Sequence, residues 1–268
     1  MASKPTRTAP FAAFEWMIAW RYLRARRAEG GVSVMTWISL IGITLAVFAL
    51  IATLSVRSGF RAEFVDTILG ANAHVTVYTM GEVLPNGQID RTIDDYEAMA
   101  ERVAAVEGVT RVAPLVRQQV MANRRQSNAG VEVFGIASDD LMTIPGIQPS
   151  ERSFGDITRF EEGMAIGSGV AQSLGVQVGD SVKLISPNGV KTAFGTSPRV
   201  NAYEVVYIFS AGRYDIDKTR VYLPITEAQS FFNREGVADE LEVMVEDPEG
   251  VDAMAPALMQ AAGERAQV

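Results

Sequence analysis

The chain has 268 residues, 48% of them hydrophobic, a formal charge of −8 and no cysteine. The missing cysteine excludes a disulfide framework, a thiolate metal site, a cysteine nucleophile and a lipid attached through a lipobox cysteine, and the acidic balance argues against nucleic acid as a partner. The single histidine, His74, also removes most zinc sites and any chemistry that needs two imidazoles.

Charge is unevenly placed. Up to Val56 there are six basic residues (Lys4, Arg7, Arg21, Arg24, Arg26, Arg27) and two acidic ones (Glu15, Glu29), which leaves 18 of the 24 basic and 30 of the 32 acidic residues for the remainder. A basic head and an acidic body flank an apolar stretch.

In the head, FAAFEWMIAWRYLRARR places Phe11, Phe14, Ile18 and Tyr22 near one helical face, with Trp16 and Trp20 beside it and arginines at its end. This pattern predicts an amphipathic helix on the cytoplasmic interface within residues 1–35; a plain helical extension with basic stop-transfer flanks fits the same residues. TWISLIGITLAVFALIATLSV, residues 36–56, is uncharged over 21 residues, and at ~1.5 Å per residue it spans the ~30 Å hydrocarbon core. With the cations before it, the positive-inside rule puts the N-terminus in the cytoplasm and the bulk of the chain across the membrane. A cleaved signal peptide would have a shorter apolar core and a small-residue cleavage site, and SVRSGF is a poor one.

Beyond the span, Phe60, Phe64, Ile68 and Leu69 keep near-helical spacing, so the helix is expected to continue as a stalk stopped by Gly70. HVTVY reads as a strand. Thr92 and Asp95 read as a capping-box start to a helix with Ile93, Tyr96, Met99 or Ala100, and Val103 on one face, ended by Gly108. VTRVAP, LVRQQVMAN and GVEVFGI follow as three strands, the last two joined by RRQSNAG with its Asn and Gly at positive φ. In AIGSGVAQSLGVQVGDSVKLI, Gly167 and Gly169 superficially suggest a phosphate-binding turn. Gln172 stands where the fingerprint needs a third glycine, and there is no GxxxxGK[ST] anywhere. A helix from Ser168 to Gly175, followed by a Gly179-Asp180 turn into SVKLI, accounts for the segment. NAYEVVYIF and TRVYLPI are strands, TEAQSFFN a helix packing Phe231 or Phe232, ELEVMVED a strand, and GVDAMAPALMQAAG a closing helix interrupted or bent at Pro256. The predicted fold class is α+β: an outer layer from 57–129 and 237–268, with a mostly β subdomain, 130–236, inserted into it.

Catalytic candidates are few. The acidic pairs Asp94-Asp95, Asp139-Asp140, Glu161-Glu162 and Asp239-Glu240 are adjacent residues that do not converge on one point, and they suit a solvated face. No GxSxG is present, and His74 reads as a surface or packing residue with the capacity to sense pH. No catalytic residue, metal ligand or bound cofactor is predicted. The conspicuous feature is ISPNGVKTAFGTSPRV, residues 185–200, a connection of a length uncommon unless functional or disordered. If it binds a partner, Pro187, Val190, Phe194 and Pro198 are its anchors, with Arg199 at the rim.

The ordered segments AWRYLRARR, TWISLIGITLAVFALIATLSVRSGF, ILGANAHVTVY, GVTRVAPLV, VEVFGI, GSGVAQSLGVQVGDSVKLISP and AYEVVYIF resemble the N-terminal half of the permeases of the lipoprotein-releasing ABC transporter (the LolC/LolE family), with a MacB-like periplasmic core domain. The resemblance implies a bacterial inner-membrane permease paired with a second copy or homologue. Two cytoplasmic ATPase subunits use the ATP, and lipoprotein substrates leave the membrane for a soluble periplasmic carrier. It implies that 185–200 is the hook that recruits the carrier, with Pro187, Val190 and Phe194 entering it and Arg199 and Asn201 making polar contacts. It also implies that Leu50, Thr53, Leu54 and Arg57, one face of the outer end of the span, contact lipoprotein; Arg57 stands where the family commonly has an apolar residue. Family members add three further spans and a coupling segment after the closing helix, so transport is expected to need more than these 268 residues. Two other readings are a mechanotransmitting permease of the macrolide-exporter or division-linked kind, and a single-span anchored periplasmic binding module.

Overall fold

The computed structural model describes residues 13–24, 30–69, 72–83, 89–192, 195–263 and 265–268, with side chains described for these except 23–24, 30–33, 61–69, 82 and 188–196. Lys4, Arg7, Phe11, Arg26, Arg27, Gly70 and Phe194 therefore lie outside the described residues. The chain divides into two compact units, Met1–Ala62 and Glu63–Val268.

The first unit is helical, and the last seven residues of its second helix fall in the second unit. α1 is Ala13–Arg24 and α2 is Gly30–Leu69, a 40-residue helix roughly 60 Å long. Within α2, Val34–Phe60 is apolar and long enough to cross a membrane; it contains the predicted span, and the helix runs on through SVRSGF as expected. Two of its hydroxyls are satisfied internally: Thr44 and Thr53 each donate at 2.7 Å to the carbonyl four residues back, Leu40 and Ala49. Such pairing is what a hydroxyl needs in a hydrocarbon environment.

The second unit is α+β. Its elements are β1 (Val75–Thr79), β2 (Glu82–Val83), β3 (Ile89–Asp90), α3 (Tyr96–Ala104), β4 (Val109–Arg124), β5 (Ser127–Ile136), α4 (Ser138–Thr143), β6 (Phe154–Gly155), a 3₁₀ turn (Ile157–Glu162), β7 (Met164–Gly167), α5 (Ser168–Leu174), β8 (Ser181–Thr192), β9 (Gly195–Phe209), α6 (Tyr214–Thr219), β10 (Arg220–Pro224), α7 (Ile225–Phe232), β11 (Glu240–Val245), a second 3₁₀ turn (Pro248–Gly250), α8 (Val251–Ala262) and β12 (Ala266–Gln267). The main sheet runs β12-β1-β11-β4-β5-β10-β7-β9-β6, and β8 pairs both β4 and β9. The pairings β4-β5-β10-β7-β9-β8-β4 therefore close a circuit of six strands. Val120, Val133, Ile166, Leu184, Val205 and Leu223 from these strands share one core with Val170 and Leu174 of α5 and Phe231 and Phe232 of α7. A separate core packs β1 and β11 against Met99 and Val103 of α3 and Leu258 and Ala262 of α8, so the face predicted for α3 is the buried one.

Several local expectations change. VTRVAP and LVRQQVMAN form one strand, β4, which passes through Pro114 opposite Leu241, since a proline removes only its own N–H from a ladder. Asp95 precedes α3 without a side-chain cap, and Thr92 is turned instead to Asp90, accepted by its Oδ1 at 2.8 Å. In the turn between β4 and β5 the positive φ belongs to Arg125, at 55°, while Asn128 and Gly130 are paired in β5 opposite Asn123 and Met121. α8 runs uninterrupted across Pro256. Gly175 closes α5 in the left-handed region at φ 64°, as predicted.

Candidate partner-binding hairpin

Residues 185–200 are not a free loop. β8 continues to Thr192 and β9 begins at Gly195, so the segment is a two-stranded arm extending from the sheet. Pairing is regular from Ser181 opposite Glu204 to Ser186 opposite Arg199, and resumes with Val190 opposite Ser197, after a shift in register. Residues 187–189 thus face Pro198 alone, a bulge that re-aims the outer arm. Proline cannot donate to a ladder, and bulges are where sheets tolerate it; Pro187 and Pro198 meet there from opposite strands.

Both prolines are exposed, and they line an apolar groove of about 630 Å³ with Ile185, Met121, Val120, Gly130 and Val131. Val190 contributes its backbone to β8, its side chain and Phe194 being outside the described residues. Arg199 is half-buried and is not a free rim charge. Its Nη1 donates to the carbonyl of Phe231 at 3.3 Å and to that of Ser230, at the last turn of α7, where the helix dipole favours a cation; the Ser230 carbonyl also accepts the Asn233 N–H that caps the helix. Tyr203, four residues along the same strand, packs edge-on against Phe231 with ring centroids 6.1 Å apart, and burial pushes its phenol pKa up. Asn201 Nδ2 donates to Tyr203 Oη at 3.2 Å. The arm's base is therefore fixed to α7 by two side chains. Sequence reading missed this role for Arg199 because the carbonyls it meets are made available only by the tertiary fold.

Elsewhere, the four span residues Leu50, Thr53, Leu54 and Arg57 are exposed on α2, Leu50 by 60% and Leu54 by 53%, and the Thr53 hydroxyl is held by Ala49. Gly167 and Gly169 are packing glycines: a Cβ at either would run into the backbone of Asp217. His74 Nδ1 lies 3.1 Å from both the amide nitrogen and the carbonyl oxygen of Val245, and burial lowers its pKa, with Arg111 adding in the same direction. Among the described residues no group of three His, Asp or Glu is placed to hold a metal ion.

Residues 36–261 match the model of the MacB-like periplasmic core domain family. The chain belongs to this family. It is 29% identical over 247 residues to the lipoprotein-releasing system transmembrane protein LolC of Neisseria meningitidis serogroup B, covering 91% of this chain and 57% of that protein. It is 27% identical over 241 residues to LolE of Haemophilus influenzae, covering 87% and 55%. The chain spans about half the length of the curated relatives it matches. Among solved structures, the extracellular domain of the ABC-type transporter YknZ from Gram-positive bacteria aligns with a TM-score of 0.45 at 15% identity, covering 72% of this chain and 98% of that one.

Proposed function

We propose that this chain is the N-terminal part of a LolC/LolE-type permease in the bacterial inner membrane, with its N-terminus cytoplasmic and its α+β unit periplasmic. It works with ATPase subunits that hydrolyse the ATP and with a second permease, and it carries no chemistry of its own. In this reading residues 34–60 form part of the lipoprotein path, with Leu50, Thr53, Leu54 and Arg57 facing the substrate. The arm 185–200 recruits the periplasmic carrier. The supporting observation is the arm itself: a projecting hairpin, kinked by two exposed prolines and anchored at its base, on a chain similar to LolC and LolE over most of its length. Pro187 and Pro198 supply rigid apolar contact, Val190 and Phe194 insert, and Asn201 lies at the polar margin. Arg199 holds the arm.

The test is capture of the purified lipoprotein carrier by the full chain in detergent, comparing wild type with Phe194→Ala and with deletion of residues 187–198. Capture is expected to fall in the first variant and vanish in the second. Equal capture by all three removes the recruitment reading and leaves the MacB-like mechanotransmission permease, which the family match also accommodates.

A further inference from the structure

The outer face of β5, β4 and β8 carries a second surface, distinct from the tip of the arm. Strand pairing arranges it in rows: Lys183 beside Asn123 beside Asn128, then Ile185 beside Met121 beside Gly130. Alternate residues share a face, and the residues between them, Val120, Ala122, Val182 and Leu184, point into the core. The second row is apolar and indented. Met121 is 50% exposed, and open space stands where a Cβ on Gly130 would project. This is the floor of the groove that reaches Pro187 and Pro198.

The first row ends in a basic cleft of about 480 Å³ lined by Asn123, Arg124, Arg125, Asp180, Ser181 and Lys183. Arg124 is engaged, with its guanidinium 2.6 Å from Asp180 and also donating to the carbonyl of Gly175. Arg125 and Lys183 are exposed, and among the described residues neither pairs with a carboxylate. Arg125 also occupies the left-handed region of a tight turn, a position that glycine or asparagine fills at lower cost. An unfavourable backbone position that holds an unpaired guanidinium over a cleft points to a binding role. The setting sharpens this, because beyond Val56 acidic residues outnumber basic ones by 30 to 18.

We propose that this face docks an extended acidic segment of a partner protein. A carboxylate enters between Arg125 and Lys183, and an apolar side chain two residues away lies over Gly130 beside Met121. The spacing follows from strand geometry: the rows are two residues apart, roughly 6.8 Å, which is also the i to i+2 repeat of an extended peptide. A free oxyanion would use only the basic end. The proposal stands apart from carrier recruitment by the arm, and either can fail alone.

The experiment measures fluorescence anisotropy of a labelled, end-capped peptide of Glu-Ser-Leu-Ser repeats, in which glutamate and leucine stand two residues apart on one face of the extended chain, titrated with the full chain in detergent. Wild type is expected to bind saturably and to weaken with added salt. Arg125→Gly, Lys183→Gln and Met121→Ser are each expected to weaken binding by about fivefold, as loss of one partly exposed contact does; the same holds for a peptide with glutamine in place of glutamate. Glycine suits the turn, so Arg125→Gly should keep or raise the melting temperature, separating a lost contact from a lost fold. Absence of wild-type binding overturns the proposal, as does unchanged affinity in both Arg125→Gly and Lys183→Gln. Displacement of the peptide by millimolar inorganic phosphate, with Met121→Ser unaffected, also overturns it by reducing the cleft to a small-anion site.

Discussion

Arg199 Nη1 donates to the carbonyl oxygen of Phe231 at 3.3 Å, joining the arm's inner strand to the exposed end of α7. The same guanidinium meets the Ser230 carbonyl, which also accepts the Asn233 N–H at the helix cap, so one side chain binds two carbonyls of the last turn, where the helix dipole favours a cation. The rest of the anchor is the Tyr203 to Phe231 ring contact. The arm's direction thus depends on a residue outside the apolar tip.

Replacing Arg199 with alanine is expected to cost about 1.5–3 kcal/mol, the range for hydrogen bonds to a charged group. The effect should be local. Hydrogen exchange should speed up in residues 197–203 and at the end of α7, with the β1 and β11 amides unchanged. Carrier capture should fall even though Arg199 faces α7, and Arg199→Lys, which keeps the charge but loses the fork, should recover only part of it. Unchanged exchange at 197–203 would return Arg199 to the role of a rim contact.

A buried ion pair offers a second test. Arg111 on β4 lies 3.6 Å from Glu242 on β11, with side-chain exposures of 13% and 11%, and it also donates to the Asp140 carbonyl at 3.2 Å. Burial pushes the Glu242 carboxyl pKa up, and Arg111 and then Arg220 work against that. Arg111→Met should therefore cost about 3 kcal/mol, because it strands a carboxylate, whereas Arg111→Met combined with Glu242→Leu should recover most of the loss. A group with a raised folded-state pKa gives its stability below its ordinary value and loses it as pH rises through the folded value. The single variant should thus regain stability on acidification in urea titrations. A double variant as unstable as the single would show that the Asp140 and Thr143 contacts of Arg111, not its charge, matter most.

The long apolar helix and most element types could be read from sequence, because each depends on local pattern: 21 uncharged residues mark a helix long enough to cross a membrane, and Gly175 ends α5 by its own φ. The errors came from residues whose local preference the fold overrides. Pro114 reads as a break, yet β4 passes it with the loss of one donor. Residues 185–200 read as a long connection, but β8 and β9 run into it and take up residues 187–189 and Pro198 in a bulge between Ser186 and Val190. Asn128 and Gly130 attract a turn assignment that Arg125 takes instead, since the register of β4 on β5 fixes where the chain reverses. The candidate site was visible as a segment, while its anchoring was not, because the partners of Arg199 and Tyr203 lie about thirty residues away on α7.

His74 gives the last prediction, a pH dependence with a definite sign. It sits at the entry to β1, its Nδ1 against the Val245 backbone of β11, and its pKa lies below the ordinary 6.5, chiefly through burial. A lowered folded-state value means the neutral ring suits the fold: the stabilisation is complete above about 6.5 and is lost as pH falls through the folded value. Protonation at Nδ1 also places a cation near Arg111, while a bond from the protonated ring to the Val245 carbonyl works the other way without cancelling the effect of burial. Exchange of the β1 and β11 amides should accelerate, relative to those of β7 and β10, as pH is lowered from 7.5 to 5.5, after correction for intrinsic rates. Glu240, Glu242 and Asp140 have raised pKa values through burial and take up protons in the folded state, which opposes this trend, so the diagnostic quantity is the difference between wild type and His74→Gln. That difference should shrink as pH falls. A difference constant across the range would make His74 a packing residue without a switching role.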